Sequence, residues 1–229
     1  MLKHLACIMD GNRRWAAQQG LLSFLGHKNG FAAVKKVIDF CLQKNIAYLS
    51  LYTFSIENLQ RPEQERHYLF EILAHEAAQE LQEFKAKNVR MRFLGDRELF
   101  PQTVSTLCDT VEAETKGNDG LHLNFMLCYG GQQEIVSATR YIAAQVASGQ
   151  LKEKDITPEL FADHLWTAGI PSPDLIIRTG NQHRLSNFLL YQCAYSELYF
   201  LDCMWPDIAE RNLEDALSYY NRSRKMFGK

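Results

Sequence analysis

The stretch Ile8-Met9-Asp10-Gly11-Asn12-Arg13-Arg14-Trp15 closes a short apolar run and opens a polar segment near the start of the chain. This change predicts that a buried strand ends here and that a helix begins directly after it. A helix N-terminus offers unpaired backbone N–H groups, and Gly11 lets an anion approach the backbone closely. Arg14 can add a guanidinium fork to a phosphate. The stretch predicts either an anion cradle or an ordinary turn with a helix cap.

Working outward from this stretch, short apolar runs bounded by Gly, Asp or Asn alternate with longer segments of helical period. This alternation is typical of an α/β protein with a parallel sheet. The predicted strands span residues 5–9, 48–54, 89–94, 121–127, 175–177 and 198–201. The predicted helices span residues 31–44, 63–87, 97–116, 132–148, 158–168 and 213–225. We therefore expect a single domain over residues 1–229, with a central parallel sheet of about six strands flanked by helices.

The composition excludes several classes of protein. The chain has 229 residues, 46% hydrophobic and 23% charged, with a net charge of −2. A nearly neutral chain argues against nucleic-acid binding, which normally requires a basic surface. Six dispersed cysteines without a CxxC pair favour a reducing compartment over a zinc site or disulfides. With no signal-like segment or membrane-length apolar run, we expect a cytoplasmic protein with at most peripheral contact with the inner face of the membrane.

Ligands of parallel α/β sheets bind outside the carboxyl ends of the strands, so the polar residues after each strand are candidate ligands. After the second strand come Ser55, Glu57, Asn58 and Arg61. They predict a polar binding segment, although Ser55 or Asn58 can equally cap the next helix. The turn after the fourth strand, residues 128–134, has two glycines and predicts either a pocket floor or a plain strand-to-helix turn.

Two further features favour phosphate chemistry. His27 follows Gly26 in a predicted polar gap between two helices, where it can donate to phosphate or simply be a surface residue. After the fifth strand, Arg178, Arg184 and Ser186 occur within nine residues. Two guanidinium groups and a hydroxyl suit a second phosphate group, and the alternative is an ion-paired surface loop. All these segments should meet at one edge of one sheet, which favours the anion-site interpretation.

The same segments carry a resemblance to a known family. Residues 4–16, Gly26-His27, residues 54–62 and residues 178–200 are similar in sequence, order and spacing to the signature regions of the cis-prenyltransferases, which include undecaprenyl diphosphate synthase. The resemblance extends over the whole chain. Several long motifs at family-like spacings are far more specific than any one of them alone.

The resemblance implies a homodimeric enzyme that uses Mg2+ as its cofactor and has a hydrophobic tunnel for the growing chain. Such an enzyme adds isopentenyl diphosphate to an allylic diphosphate, usually farnesyl diphosphate. The implied product is a cis-polyprenyl diphosphate such as undecaprenyl diphosphate, a lipid carrier for cell-wall synthesis that is delivered to the membrane. The alternatives are a shorter-chain or branched prenyl diphosphate synthase, or a non-catalytic binding subunit.

The resemblance also implies roles for individual residues. Asp10 matches the catalytic carboxylate beside the metal, and Glu197 matches a second metal-associated carboxylate reached from the partner region of the fold. The implied ligands of the allylic diphosphate are Gly11, Asn12, Arg14 and His27, and those of isopentenyl diphosphate are Arg178, Arg184 and Ser186. The reacting end of isopentenyl diphosphate is implied to lie near Ser55, Glu57, Asn58 and Arg61, with Asn58 as the family's proposed proton acceptor. Further substrate contacts are expected from Arg13, Trp15, Ile56 and Leu185.

The chain departs from the family pattern at several positions. Ser23 replaces a common arginine and removes a cation expected on the allylic diphosphate. Leu59 replaces a tryptophan, Cys128 and Gln132 alter a glycine turn, and Asn181-Gln182 replaces Gly-Glu. We expect the apolar tunnel to be lined by Leu51, Thr53, Leu69, Leu73, Leu121 and Leu127. Because Thr53 and Leu127 are bulkier than usual, a shorter product is one expectation.

Overall fold

The computed structural model describes residues 1–22 and 24–223, so Ser23 and the residues from 224 onward lie outside the described part. The described chain forms a six-stranded, entirely parallel sheet of order β3-β4-β2-β1-β5-β6. Its strands are β1 His4–Ile8, β2 Tyr48–Ser55, β3 Val89–Leu94, β4 Leu121–Tyr129, β5 Leu175–Arg178 and β6 Glu197–Phe200. The predicted parallel sheet is confirmed, with each strand end within two residues of its predicted position.

Seven α-helices connect and flank the described strands. They are α1 Asn12–Gln18, α2 Leu25–Gln43, α3 Glu63–Ala86, α4 Gln102–Thr115, α5 Gly131–Ala147, α6 Pro158–Ala162 and α7 Glu210–Arg222. Short 3₁₀ turns include Ile56–Gln60 after β2 and Gln192–Tyr195 before β6. The predicted last helix starts three residues late, and its predicted end at residue 225 lies outside the described residues.

The prediction of a polar gap around Gly26, His27 and Gly30 is wrong, because all three residues lie inside α2. The glycines mark a close contact between helices. A Cβ on Gly26 would lie 2.0 Å from the backbone oxygen of Asn12, and one on Gly30 would lie 2.3 Å from Asn12 Oδ1. Glycine is thus required here for the approach of α1 to α2, although glycine usually disfavours a helix.

Two other predicted helices are shorter than expected. Helix α4 begins only after Pro101, which separates it from the 3₁₀ turn Arg97–Leu99. Helix α6 ends at Ala162, and the chain then continues in tighter turns such as the bond from Leu165 N–H to Ala162 O. Both differences reflect local backbone hydrogen bonding that a hydrophobic pattern does not reveal.

Residues of β1, β2, β4 and β5 contribute to two hydrophobic clusters on opposite faces of the sheet. Leu5 and Cys7 of β1 belong to the larger cluster, which includes residues of α2, α3, α4 and α7. Ala6 and Ile8 belong to a smaller cluster, which contains Phe188 and other residues. Because strands buried on both faces need apolar side chains at successive positions, they occur in the sequence as continuous apolar runs.

The carboxyl end of β2 is irregular. Its pairing with β4 shifts register between Tyr52 and Ser55. Such bulges redirect side chains next to functional sites.

Among residues 1–22 and 24–223, no helix combines the length and apolar character needed to cross a membrane.

Candidate functional site

Asp10 lies just beyond β1, at the centre of the carboxyl edge of the sheet. Its backbone oxygen accepts hydrogen bonds from Thr179 Oγ1 at 2.7 Å and from the Trp205 N–H at 3.1 Å. Its carboxylate accepts one bond from Arg14 at 3.2 Å and one from Arg178 at 2.8 Å. Both the backbone and the carboxylate of Asp10 are therefore fixed by residues distant in sequence.

A pocket of about 500 Å³, here called the arginine pocket, opens on one side of Asp10. Arg13, Arg14 and Arg61 bring three cations to it. Glu65 partly balances them, because its Oε1 lies 3.1 Å from Arg61 Nη1 and 3.8 Å from Arg13 Nε. The complete lining is Met9, Asp10, Gly11, Asn12, Arg13, Arg14, Ala17, His27 and Arg61. The excess of positive charge suits an anion with more than one negative charge.

His27 adds a buried imidazole to the arginine pocket. Burial, together with the neighbouring Arg61 and Arg13 charges, lowers the pKa of His27 to about 4. Its Nε2 is buried without a hydrogen-bond partner in the described structure. A buried ring nitrogen left unpaired costs free energy unless a ligand satisfies it. The ring is thus placed to contact a bound anion.

On the other side of Asp10, the loop of residues 179–189 follows β5. Arg178 is only 4% exposed, and its Nη1 donates to the backbone oxygen of Arg184 and to Ser186 Oγ, the latter at 2.8 Å. Its Nε is buried and has no partner in the described structure. Ser186 Oγ accepts from Arg178, so its own hydroxyl hydrogen remains free to bind a ligand oxygen. Arg178, Arg184 and Ser186 therefore form a second candidate anion site.

A cleft of about 660 Å³ joins the two anion sites to an apolar interior. Polar groups line one part of it: Asp10, Asn12, His27, Ser55, Glu57, Asn58, Arg61, Arg178, Arg184, Ser186 and Asn187. Apolar groups line the rest, including Phe31, Val34, Phe54, Leu69, Phe70, Ile72, Leu73, Phe125 and Leu127. Such a cleft can hold an amphiphilic ligand whose charged end lies near Asp10 and whose apolar end lies between α2 and α3.

The structure brings most of the predicted site residues together. Those that line the cleft or the arginine pocket are Asp10, Gly11, Asn12, Arg13, Arg14, His27, Ser55, Glu57, Asn58, Arg61, Arg178, Arg184 and Ser186. Trp15 is directed elsewhere, since its Nε1 donates to Asp207 at 2.7 Å. Leu185 packs against the smaller hydrophobic cluster. Ile56 lies in the 3₁₀ turn after β2 but lines neither pocket.

Glu197 does not lie near Asp10 within one chain. Glu197 begins β6 and pairs with Leu175 at the amino end of β5. Asp10 lies beyond Ile8, which pairs with Arg178 at the carboxyl end of β5. Three strand positions and two strand spacings separate these ends, about 10 Å along the strands and about 10 Å across them. The two carboxylates therefore do not form one site within the described chain.

The predicted apolar lining is present in part. Thr53, Leu69, Leu73 and Leu127 line the cleft. Leu51 and Leu121 instead lie fully buried in the larger hydrophobic cluster. Both belong to the same cluster as the cleft-lining Phe125 and Leu127, and Leu121 begins β4, six positions before Leu127, at the end of the strand away from the site.

Three residues outside the predicted set complete the site. Thr179 and Trp205 hold the Asp10 backbone, and Asn187 lines the cleft beside Ser186. Thr179 and Asn187 lie inside the polar segment after β5, so that segment contained a signal for them. Trp205 had no such signal, because its role depends on a contact with Asp10 across 195 positions of sequence.

The departures from the family pattern have different structural consequences. Ser23 lies outside the described residues. Leu59 packs against the larger hydrophobic cluster. Gln132 contributes its backbone N–H to Asn187 Oδ1 at 2.8 Å, an interaction that does not depend on its side chain. Gln182 Oε1 accepts a bond of 2.6 Å from Arg184, so a neutral amide rather than a carboxylate contacts this guanidinium.

The fold and the two cation-lined sites define a parallel α/β protein built to hold anionic groups next to an apolar cleft. Comparison with known proteins gives the family. The sequence profile described as "Putative undecaprenyl diphosphate synthase" matches residues 8–228. A ditrans,polycis-undecaprenyl-diphosphate synthase of Legionella pneumophila, described as (2E,6E)-farnesyl-diphosphate specific, is 42% identical over 226 residues, covering 99% of this chain and 95% of the relative.

Solved structures agree with this match. Lavandulyl diphosphate synthase from Lavandula x intermedia, in complex with dimethylallyl diphosphate, superposes with a TM-score of 0.96 at 33% identity, covering 100% of this chain and 98% of the other. A probable undecaprenyl diphosphate synthase from Campylobacter jejuni gives a TM-score of 0.83 at 34% identity, covering 100% and 99%. The chain belongs to the undecaprenyl diphosphate synthase family of prenyltransferases.

Proposed function

We propose that the protein joins isopentenyl diphosphate to an allylic diphosphate, with farnesyl diphosphate as the allylic substrate, and forms a cis-polyprenyl diphosphate. The observation that carries the proposal is the placement of two cation-lined anion sites on either side of Asp10, both adjoining one apolar cleft. Each substrate has a diphosphate and an apolar chain. The proposed product is undecaprenyl diphosphate, which the name of the Legionella relative gives as that enzyme's product. We propose that it serves as a lipid carrier for cell-wall synthesis.

The allylic diphosphate is assigned to the arginine pocket. Arg13, Arg14 and Arg61 hold its oxygens, and the neutral His27 ring donates to one of them from its buried nitrogen. Negative charge gathers on this diphosphate as its C–O bond breaks and the allylic carbon becomes electron-poor. Guanidinium groups already fixed around the departing oxygens stabilise that charge more in the transition state than in the ground state.

Isopentenyl diphosphate is assigned to Arg178, Arg184 and Ser186. Its double bond attacks the allylic carbon, a C–C bond forms, and one proton leaves the neighbouring carbon. Asn58 Oδ1 already accepts the Ser55 N–H at 3.2 Å, and a neutral amide is a weak base. We therefore assign Asn58 to holding the 3₁₀ turn in place and assign the proton to a diphosphate oxygen or a water. Fixing both substrates supplies much of the rate enhancement by proximity.

We propose Mg2+ as the cofactor. The described residues contain no group of three or more His, Cys, Asp or Glu side chains that could hold a metal by themselves. Asp10 nevertheless fits a metal bound together with substrate, because Mg2+ commonly takes one carboxylate and completes its shell with phosphate oxygens and water. When bound, Mg2+ would neutralise diphosphate charge beside Arg178 and Arg14.

A homodimer is part of the proposal. β6 is an edge strand, its Leu198 is exposed, and Tyr195 just before it is 75% exposed. A second copy at this edge could bring Glu197 toward the other chain's diphosphates. Sedimentation equilibrium at micromolar concentration should give twice the chain mass, and a monomer would contradict this part.

We further propose a cytoplasmic enzyme that delivers its product at the inner face of the membrane through peripheral contact.

The central test is incubation of the purified protein with Mg2+, farnesyl diphosphate and labelled isopentenyl diphosphate, followed by sizing of the products. The wild type should form labelled polyprenyl diphosphate, and Asp10→Ala should form at least about a thousandfold less. Asp163→Asn, at an exposed carboxylate, is the matched control and should retain activity. A wild type without labelled product would contradict the proposal and favour a non-catalytic binding subunit.

A second candidate is a synthase of shorter or branched products. The TM-score of 0.96 with lavandulyl diphosphate synthase supports it. Parallel reactions with dimethylallyl diphosphate alone, and with geranyl diphosphate plus isopentenyl diphosphate, separate the candidates. A branched product from dimethylallyl diphosphate alone favours the second.

A further inference from the structure

The loop after β5 has an unusual backbone. Ser186, Asn187 and Leu189 have positive φ angles of 51°, 65° and 45°, in a region that favours glycine. Each such residue is strained and persists only where its surroundings hold it. Asparagine tolerates this conformation better than serine or leucine does. A specific set of contacts must therefore hold Ser186 in place.

Asn187 makes four hydrogen bonds from this loop to other segments of the site. Its Nδ2 donates to Glu57 Oε1 at 2.8 Å and to Gln133 Oε1 at 2.9 Å. Its Oδ1 accepts from the Gln132 N–H at 2.8 Å, and its backbone oxygen accepts from the Gly131 N–H at 2.7 Å. The interactions of Asn187 with Glu57, Gln132 and Gln133 are here called the Asn187 bracket.

The bracket joins three separate parts of the site. Glu57 belongs to the 3₁₀ turn after β2, Gln132 and Gln133 belong to the first turn of α5, and Asn187 is adjacent to Ser186. Tyr52 adds a weaker restraint, since its hydroxyl donates to the backbone oxygen of Ser186 at 3.2 Å. Losing the Asn187 side chain would therefore release Ser186 and the turn of Glu57 together.

We propose that Asn187 is a positioning residue for isopentenyl diphosphate. It holds the Ser186 hydroxyl in its left-handed conformation beside Arg178 and fixes the Glu57 turn at the reacting end of the same substrate. The inference rests on the proposed function for the identity of the ligand. None of the residues of the bracket lines the arginine pocket, so its loss should weaken the binding of isopentenyl diphosphate more than that of the allylic diphosphate.

Asn187→Gly tests the proposal, because glycine accepts the left-handed backbone while removing the side-chain bonds. The matched control is Asn45→Gly, at an exposed asparagine with φ 54° after α2. Calorimetric titration with Mg2+ and isopentenyl diphosphate should show a Kd raised roughly tenfold or more in Asn187→Gly. The Kd for farnesyl diphosphate should change less than about twofold, and Asn45→Gly should change neither. A parallel rise in both dissociation constants, or no rise, would overturn the proposal.

A second variant keeps the test decisive if Asn187→Gly unfolds. Asn187→Asp keeps the shape and the acceptor for Gln132 but places a carboxylate against Glu57, so binding of isopentenyl diphosphate should weaken at least as much. Adding Glu57→Gln restores the hydrogen bond with its direction reversed, since the new amide can donate to the carboxylate at position 187. The Kd for isopentenyl diphosphate should then fall by at least about threefold relative to Asn187→Asp alone. Absence of recovery would overturn the bracket.

Turnover separates this inference from the proposed function. A wild type that binds isopentenyl diphosphate without forming product contradicts the proposed function but leaves the bracket testable by the same titrations. A wild type that binds no isopentenyl diphosphate overturns both. With active wild type, Asn187→Gly should raise the KM for isopentenyl diphosphate more than the KM for farnesyl diphosphate. A fall in kcat alone would assign Asn187 a different role and contradict the proposal.

Discussion

Arg178 donates a hydrogen bond of 2.8 Å to the carboxylate of Asp10, and the guanidinium is only 4% exposed. The bond joins the carboxyl ends of β1 and β5. It places the negative charge of Asp10 and the positive charge of Arg178 between the two anion sites. A buried cation needs its partner, and an anionic ligand can supply part of the same compensation.

Replacing Asp10 should therefore affect stability as well as activity. Asp10→Asn keeps the shape but leaves Arg178 without its counter-charge, and we expect the free energy of unfolding to fall by about 1–3 kcal/mol, since Asp10 itself is partly exposed. Urea unfolding measures the loss. Asp163→Asn should leave stability within about 0.5 kcal/mol. The double variant Asp10→Asn/Arg178→Gln should regain part of the loss, and additive losses would contradict the coupling.

Gly30→Ala should disturb the arginine pocket, because Gly30 packs against the Asn12 side chain that lines this pocket. Alanine usually stabilises a helix interior relative to glycine by up to about 1 kcal/mol. Here its Cβ would lie 2.3 Å from Asn12 Oδ1, so the Asn12 side chain, which lines the arginine pocket, must move. We expect a loss of about 1–3 kcal/mol in unfolding free energy and at least about tenfold in kcat/KM. Gly117→Ala, where a Cβ meets open space, is the control, and equal effects in the two variants would contradict the prediction.

The buried His4 should make stability depend on pH. Its ring contacts Pro171 O at 2.6 Å and Ser50 Oγ at 2.8 Å, and burial lowers the pKa of His4 to about 4. The unfolded chain takes up this proton near pH 6.5, whereas the native chain does so only near pH 4. The free energy of unfolding should thus fall as pH drops through this window, by about 3 kcal/mol from this group.

Urea unfolding at pH 7 and pH 5 measures this dependence. His4→Gln should be less stable at pH 7 but should show a smaller loss between the two pH values. His75→Gln, at an exposed histidine of α3, should retain the wild-type dependence. The prediction fails if His4→Gln loses as much stability as the wild type over this range.

The apolar part of the cleft should control product length. Phe70 lines the cleft, and its ring centroid lies 4.8 Å from that of Phe54. Phe70→Ala should lengthen the longest product by at least one five-carbon unit, because it removes a ring from the cleft wall. Phe84→Ala removes a buried ring of the same helix that does not line the cleft. It should cost similar stability, about 3–5 kcal/mol, without changing product length. Identical product distributions would contradict this assignment.

The strands and the segments after them could be predicted because the signal is local. An apolar run such as residues 121–127 must be buried on both sides, and polar residues after such runs necessarily gather at one edge. Helix α2 was predicted too short for a related reason. Gly26 and Gly30 look like a loop in isolation, and only the contact with Asn12 explains why glycine occurs inside a helix.

Contacts between distant segments could not be predicted in this way. Trp205 donates its N–H to the Asp10 backbone, and Asn187 bonds to Glu57 across 130 positions. The register of β5 and β6 places Glu197 at the opposite end of the sheet from Asp10 within one chain, so its expected metal role, reached from the partner region of the fold, stays a prediction. Register and strand order arise from the packing of the whole chain, which no single motif encodes.

Asp10 and Arg178 are 168 positions apart, so Asp10 is synthesised well before the residue that pairs with its carboxylate. A ribosome adding about 5–20 residues per second needs roughly ten to thirty seconds to reach the second residue after making the first. During that interval β1 has neither its β5 neighbour nor the guanidinium that balances Asp10, so a prematurely terminated chain should be inactive and prone to capture by chaperones. Catalytic competence would thus require synthesis to pass Arg178, because the centre of the site is assembled from segments 168 positions apart.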